Sequence, residues 1–172
     1  QIAVEASLTG HFVLSTLHTN NAPETITRLV DMDIEPFLIT GSLEAVLAQR
    51  LVRTLCKYCR YSYKPEREEG ELLGLPKNYL DNPNLRLWKA RGCPACDMKG
   101  YKGRSGLYEM LVMDENLCDL VLNRAMTMEL RKYARKHQGM RTLREEGIIK
   151  CLKGDADVAD VCTNTDKFDD VL

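Results

Sequence analysis

Along the first fifty residues the spacing of apolar positions changes three times. Ile2, Val4 and Ala6 suggest a short helical start. The run His11-Phe12-Val13-Leu14-Ser15-Thr16-Leu17-His18 is continuously apolar rather than alternating, the pattern of a strand buried on both faces. Asn20-Asn21-Ala22-Pro23-Glu24 reads as a helix start, with proline tolerated in the first turn and Glu24 favourable at the positive end of the dipole. Ile26, Leu29 and Val30 mark the buried stripe of that helix. A second helix is expected from near Pro36, carrying Phe37, Leu38, Leu43, Val46 and Leu47 into residues 49–53. Strand, helix, helix with short links predicts an α/β fold for residues 1–55.

The pattern then breaks. Residues 56–103 contain the charged stretch Lys64 to Glu71, Pro65, Pro76 and Pro83, and the only tryptophan, Trp88, as in a loop-rich excursion tied at its base. Leu107 to Met113 reads as a strand. Helices dominate the rest of residues 104–172. Asp114 can cap one with Leu117, Leu120 and Val121 inward, and Thr127 another that stops at Gly139. Thr142-Leu143-Arg144-Glu145 fits a capping box, and that helix ends at Gly154. Asp155 begins a last helix with Val158, Val161 and Cys162 inward, so a small helical bundle is expected. His137 fits a surface or structural role there.

The composition excludes several classes. Hydrophobic residues make up 44% and charged residues 28%, which argues against general disorder. Lys plus Arg total 24 against 25 for Asp plus Glu, a net charge of −1, so nothing global points to nucleic acid or an anionic membrane. No apolar run has the length of a membrane span, and Glu44 interrupts the longest, Phe37 to Ala48. The chain opens on Gln1 and runs directly into patterned sequence, as expected of a piece of a longer protein.

Of the cysteines, four form two tight pairs, Cys56-Lys57-Tyr58-Cys59 and Cys93-Pro94-Ala95-Cys96. Paired thiolates two residues apart grip a tetrahedral zinc from one side, and two such pairs close its shell, which makes the site structural. A redox CxxC pair or secreted disulfides are the alternatives; two pairs beside turn-forming segments favour zinc. Reduced thiols then imply a cytosolic compartment. Cys118, Cys151 and Cys162 read as small apolar residues. Gly100, Gly103 and Gly106 with nearby basic residues suggest a phosphate cradle, but the Gly-Lys-Ser/Thr ending and the preceding apolar strand are missing. A likeness to the zinc repeats of J-domain chaperones fails too, because Met98 stands where those repeats need glycine. Turns from a zinc knuckle into a strand are the simpler reading.

Reactive chemistry is confined to the neighbourhood of His11 and His18. Seven residues apart on one strand, they point to opposite faces, and His18 falls at the carboxyl end beside Thr16, Thr19 and Asn20, where open α/β sheets collect ligands. Both histidines are equally readable as ordinary polar residues at strand ends. Arg50, Arg53, Lys57 and Arg60 beside Tyr58, Tyr61 and Tyr63 offer the mixture used for single-stranded nucleic acid, but acidic residues 66–71 and the neutral total weigh against it. A purely structural adaptor docking a partner through its zinc module is a third possibility.

The segment Ser7-Leu-Thr-Gly-His-Phe-Val-Leu-Ser-Thr-Leu-His-Thr-Asn20 closely resembles the histidine box of the secretion ATPase superfamily, in particular the assembly ATPases of type II secretion systems and type IV pili. The resemblance continues through Arg28-Leu29, Met32 to Phe37, and Ala48 to Cys56. It resumes at Cys93 to Cys96, Tyr101 to Glu109, and Gly139 to Glu146. The tetracysteine module separates these assembly ATPases from the similar retraction motors.

This resemblance implies the carboxyl-terminal part of a RecA-like P-loop ATPase core, with an inserted Cys₄ zinc module and a helical tail. It implies a cytoplasmic hexameric ring, using ATP and Mg²⁺, that turns the inner-membrane platform protein of a secretion or pilus machine, with no nucleic-acid partner. The family's phosphate-binding loop and its acidic metal motif do not occur in these residues, so the fragment alone is expected not to hydrolyse ATP. Histidine-box identity falls on His11 and His18. His18 is the better candidate for sensing the γ-phosphate or its attacking water, because a neutral imidazole both donates and accepts. Thr16 and Thr19 fall near the nucleotide phosphate, and Arg28, Arg50 and Arg53 suit contacts between subunits. Asp155-Ala-Asp-Val-Ala-Asp160 is more acidic than the family pattern and leaves the packing of the last helix open. With its flanking strands expected before Gln1, residues 1–20 should be poorly ordered, rearranged or paired between copies.

Overall fold

The computed structural model describes residues 2–166. They fall into two compact units, 2–48 with 109–141, and 49–108 with 142–166, a grouping that differs from the three consecutive segments expected above.

In the first unit, α1 (Ile2–Leu8) is anchored by the Ser7 hydroxyl donating to the Ser42 carbonyl at 3.0 Å. Residues 11–19 follow in irregular conformation. The expected strand is absent: Phe12 and Leu14 are 86% and 84% exposed. The run has the composition of a strand buried on both faces, and among the described residues no strand pairs with it. Helix α2 (Ala22–Asp31) begins as read, with the Asn21 side chain accepting the Glu24 N–H at 2.9 Å. Helix α3 (Pro36–Ser42) is shorter than expected, because residues 45–55 form strand β1 (Ala45–Leu55). Its exposure alternates along the strand, with Val46, Ala48 and Val52 more covered than Leu47, Gln49 and Leu51, a period of two that the helical reading of Val46 and Leu47 missed. Helices α6 (Glu115–Leu122) and α7 (Thr127–Gln138) complete this unit, and Ala22, Ile26, Ile39, Leu111, Leu117 and Leu130 fill its core.

The second unit contains the antiparallel hairpin of β2 (Arg60–Tyr63) and β3 (Leu87–Ala90), in the register Arg60↔Ala90 to Tyr63↔Leu87. Between these strands run the short helices α4 (Arg67–Leu73) and α5 (Lys77–Leu80). Strand β4 (Tyr101–Val112) is the expected 107–113 strand extended toward its amino end. It pairs with β1, and flanking bonds from Met113 N–H to Glu44 O and from Cys56 N–H to Gly100 O make the pair antiparallel. Helices α8 (Leu143–Lys153) and α9 (Val158–Asn164) pack on each other, on β3 and on α4. The expected single bundle is therefore corrected: α6 and α7 share a core with α2 and α3, whereas α8 and α9 cover the hairpin.

Helix ends follow the expected chemistry. Thr142 and Glu145 exchange the two bonds of a capping box at 3.2 and 2.8 Å. Asp114 accepts the Leu117 N–H at 2.8 Å, and Gly139 and Gly154 close helices with φ of +65° and +78°. Thr127 is the first residue of α7 rather than its cap, and Asp157 rather than Asp155 caps α9.

Candidate metal centre and histidine segment

The two cysteine pairs sit in turns that face each other. In the first, Cys59 and Arg60 N–H groups donate to the Cys56 carbonyl; in the second, Met98 N–H donates to Cys93 O and Lys99 N–H to Cys96 O. Sulfur separations are 3.9 Å for Cys56–Cys93, 3.9 Å for Cys59–Cys96 and 3.8 Å for Cys93–Cys96. All four sulfurs lie within 4.8 Å of one another, and together they can hold a metal ion. Burial favours the neutral thiol at Cys59 and moves it up to about 12. At Cys96 the same burial penalty is outweighed by backbone N–H groups of Cys93 and Gly100, each 3.2 Å from the sulfur, which bring the thiol down to about 7. The pocket is thus set up to accept thiolate charge at one of its corners.

Contacts around the cysteines tie them to the end of the chain. Arg60 reaches the Gly154 carbonyl and forms an ion pair with Asp155 at 3.4 Å. Tyr101 donates its hydroxyl to Asp157, which also accepts the Asp160 N–H at 2.8 Å. Asp160 accepts both the Arg53 N–H and, at 2.8 Å, its Nε, while the Arg53 guanidinium stacks 3.9 Å from the Tyr101 ring centroid. The three aspartates that depart from the family pattern are therefore each engaged, and they fasten α9 in place. A β-carbon at Gly154 would stand 2.7 Å from the Trp88 ring.

The histidine segment is organised differently. His11 and His18 are exposed, as is Thr16. His11 Nδ1 lies 3.1 Å from the Thr9 hydroxyl, and Thr19 and Thr25 share a hydroxyl bond of 2.9 Å. No hydrogen bond links His11, Thr16 and His18 to one another among the described residues. Arg28 is exposed and Arg50 half-buried, while Arg53 is engaged as above. Of the residues singled out from sequence, the structure assembles only the four cysteines.

Two residues that lie in motifs read from the sequence take structural roles those motifs do not indicate. Glu109 is 1% exposed, and its carboxylate accepts the Ala22 N–H at 2.8 Å, at the positive end of α2. Buried Arg144 donates to the Leu72 and Thr165 carbonyls and to the Cys162 sulfur, joining α4 to the end of α9. Cys151 is fully buried and its thiol is pushed up by burial, in keeping with an inert core residue, whereas Cys118 and Cys162 are half-buried. His137 is a surface residue stacked 4.8 Å from the Tyr133 ring. No helix among the described residues is long and apolar enough to cross a membrane.

The chain is 42% identical over 165 residues to the type IV pilus assembly ATPase PilB of Thermus thermophilus, covering 96% of this chain and 18% of that protein. It is 47% identical over 154 residues to the type II secretion system ATPase E of Vibrio cholerae, covering 90% and 29%. With type II secretion system protein E of Pseudomonas aeruginosa the identity is 47% over 161 residues, covering 94% and 31%. The chain thus spans less than a third of the length of these curated relatives. The family model described as type II/IV secretion system protein matches residues 1–163, and the chain belongs to that family.

Proposed function

We propose that this chain is the carboxyl-terminal part of a cytoplasmic, hexameric ATPase that powers type II protein secretion or type IV pilus assembly. The observation that carries the reading is its similarity, over 90% or more of its length, to relatives named as ATPases of these two machines. ATP hydrolysis with Mg²⁺ belongs to the whole protein on this reading. None of these 172 residues forms Gly-x-x-x-x-Gly-Lys-Ser/Thr, so the chain alone does not turn over ATP. The working partners are further copies of itself and the platform protein at the inner membrane, with no role for nucleic acid.

The exposed apolar run at residues 11–18 supports a place in a larger RecA-like sheet, because such a run needs a strand on each side to bury it. In that setting His18 stands at the carboxyl end of the strand with Thr16 and Thr19 beside it. Its imidazole donates from one nitrogen and accepts at the other, and so distinguishes a bound γ-phosphate from its absence. His11, on the opposite face, acts on stability or subunit coupling. Arg28, exposed on α2, is better placed for a neighbouring subunit than Arg53, which is already held by Asp160.

The cysteine cluster is a structural zinc site. Zn–S bonds of about 2.3 Å in a tetrahedron separate the sulfurs by about 3.8 Å; three of the separations are 3.8–3.9 Å and all lie within 4.8 Å, which supports that geometry. A disulfide would need about 2.0 Å. Cys56, Cys59, Cys93 and Cys96 would fill all four positions, so the metal contributes folding energy and leaves no open position for chemistry.

The test of the nucleotide role uses the intact longer protein. His18→Ala should lower ATP turnover about 100-fold and leave ATP affinity nearly unchanged, because its partner is the reacting phosphate. Equal turnover in wild type and variant would remove the assignment.

A further inference from the structure

The turns that gather the sulfurs also carry a surface that metal binding does not need. Tyr58 and Met98 project from opposite turns and are 67% and 66% exposed. Met98 has φ of +61°, beside Asp97 at +51°. That region is free to glycine and strained for a side chain, and a solvent-exposed methionine gains no packing in return. Both turns belong to one tip: Arg91 N–H donates to the Cys59 carbonyl at 3.3 Å, and a β-carbon at Gly92 would run into the Met98 carbonyl.

The charge at this tip is one-sided. Lys57, Arg91 and Lys99 are exposed, against the single carboxylate of Asp97. The Lys57 ammonium lies 5.2 Å from the Tyr58 ring centroid and the Arg91 guanidinium 4.7 Å from that of Tyr61, which pre-orders these cations. Elsewhere in the same unit Glu69 pairs with Lys89, and Glu71 and Asp81 with Arg67, while Glu66 and Glu68 lie exposed on the α4 side of the hairpin rather than at the cysteine turns. At the turns themselves three exposed cations face one carboxylate, a surface complementary to an acidic partner.

We propose that the tip of the cysteine module is a docking surface for an acidic segment of a partner protein. Tyr58 and Met98 take apolar side chains of that segment, and Lys57, Arg91 and Lys99 take its carboxylates. The surface favours protein over nucleic acid on two counts. Of the two exposed side chains only Tyr58 offers a face for stacking a base, and Met98 offers none. The rings of Tyr61 and Tyr63 are already covered by Arg91 and Lys89. The proposal needs the closed cysteine cluster and is independent of the nucleotide role of His18.

Fluorescence anisotropy on the zinc-loaded full chain tests it, with a labelled peptide of alternating Glu and Leu, the matching Lys–Leu peptide, an oligothymidine and vesicles of anionic lipid as probes. The Glu–Leu peptide should bind with roughly micromolar affinity, falling as salt rises. Met98→Gly and Arg91→Glu should each weaken it about fivefold or more, and the other three probes should bind more weakly than it does. Met98→Gly relaxes a strained backbone, so it should not lower the Tm, which separates lost binding from lost folding. No binding of the acidic peptide, unchanged affinity in both variants, a lowered Tm in Met98→Gly, or tighter binding of oligothymidine or vesicles would each overturn the proposal.

Discussion

Residues 11–18 and the cysteine module are both rich in features that sequence reading picks out, yet they reach opposite structural outcomes. The cysteine module closes on itself: two turns, four sulfurs within 4.8 Å and a hairpin in register need nothing from further along the chain except the α8–α9 corner that covers them. The histidine segment is bonded at its start, where the His11 N–H donates to the Ala6 carbonyl, and runs on in irregular conformation. Phe12 and Leu14 lie open to solvent, and each large apolar side chain left uncovered forgoes about 1.5–3 kcal/mol. An element is complete when its partners are local. A strand designed for burial on both faces is incomplete until its neighbours are present.

The largest effect in this comparison should come from the metal. Cys59→Ser removes one of the four proposed ligands, and structural zinc sites carry apparent binding energies on the order of 10 kcal/mol. Metal analysis should find about one zinc in the wild-type chain and little in the variant, with residues 56–103 losing order while α6 and α7 keep theirs. Retained order of that module in a zinc-free variant would break the contrast between the regions.

A smaller effect is expected at two glycines with similar backbones. Gly154 (φ +78°) sits under the Trp88 ring, with 2.7 Å for an added β-carbon, whereas Gly10 (φ +90°), just before the histidine segment, has nothing within 4 Å. Gly154→Ala should cost about 2–3 kcal/mol and Gly10→Ala about 1 kcal/mol, as read from denaturant unfolding. Equal costs would mean that packing around the cysteine module adds nothing to backbone strain.

The smallest effect is a pH dependence inside the first unit. Burial disfavours the Asp114 carboxylate, but donors from Gln138, the Leu117 N–H and Tyr133 outweigh it and hold its pKa below the ordinary aspartate value. A carboxylate with a depressed folded pKa contributes stability above its unfolded pKa and loses it as pH falls through the folded value. Asp114→Asn keeps the cap but exchanges charge-assisted hydrogen bonds for neutral ones, so it should cost about 1 kcal/mol at neutral pH and flatten the loss of stability below pH ~4. Acid unfolding curves that coincide for the two proteins would contradict this.

Much of the chain was legible because its signals are short-range. The caps at Asn21, Asp114 and Thr142, the stops at Gly139 and Gly154, and the paired cysteines each need only neighbours three or four residues away. Strand β1 was not legible. Val46 and Leu47 fit a helical stripe as well as a strand, and the partner that decides the matter, β4, lies far along the chain. Glu109 was equally silent, since its role depends on a helix start at Ala22 reached only in the fold. The aspartates at 155, 157 and 160 depart from the family pattern in sequence, and their partners Arg60, Tyr101 and Arg53 lie about fifty or more residues away. For the histidine segment the sequence carries both halves of the outcome: its composition reports a strand buried on both faces, and with no neighbour pairing with it among the described residues it lies irregular and exposed, as expected of a run without its flanking strands.

Hydrogen exchange on the zinc-loaded chain, in a sample shown to be monomeric, tests the contrast most directly. Amides of residues 11–18 should exchange near the rate of an unstructured peptide, while those of β2, β3 and the two cysteine turns should be strongly protected. Strong protection across 11–18 in the monomer, or exchange as fast in the cysteine turns as in that segment, would contradict the account.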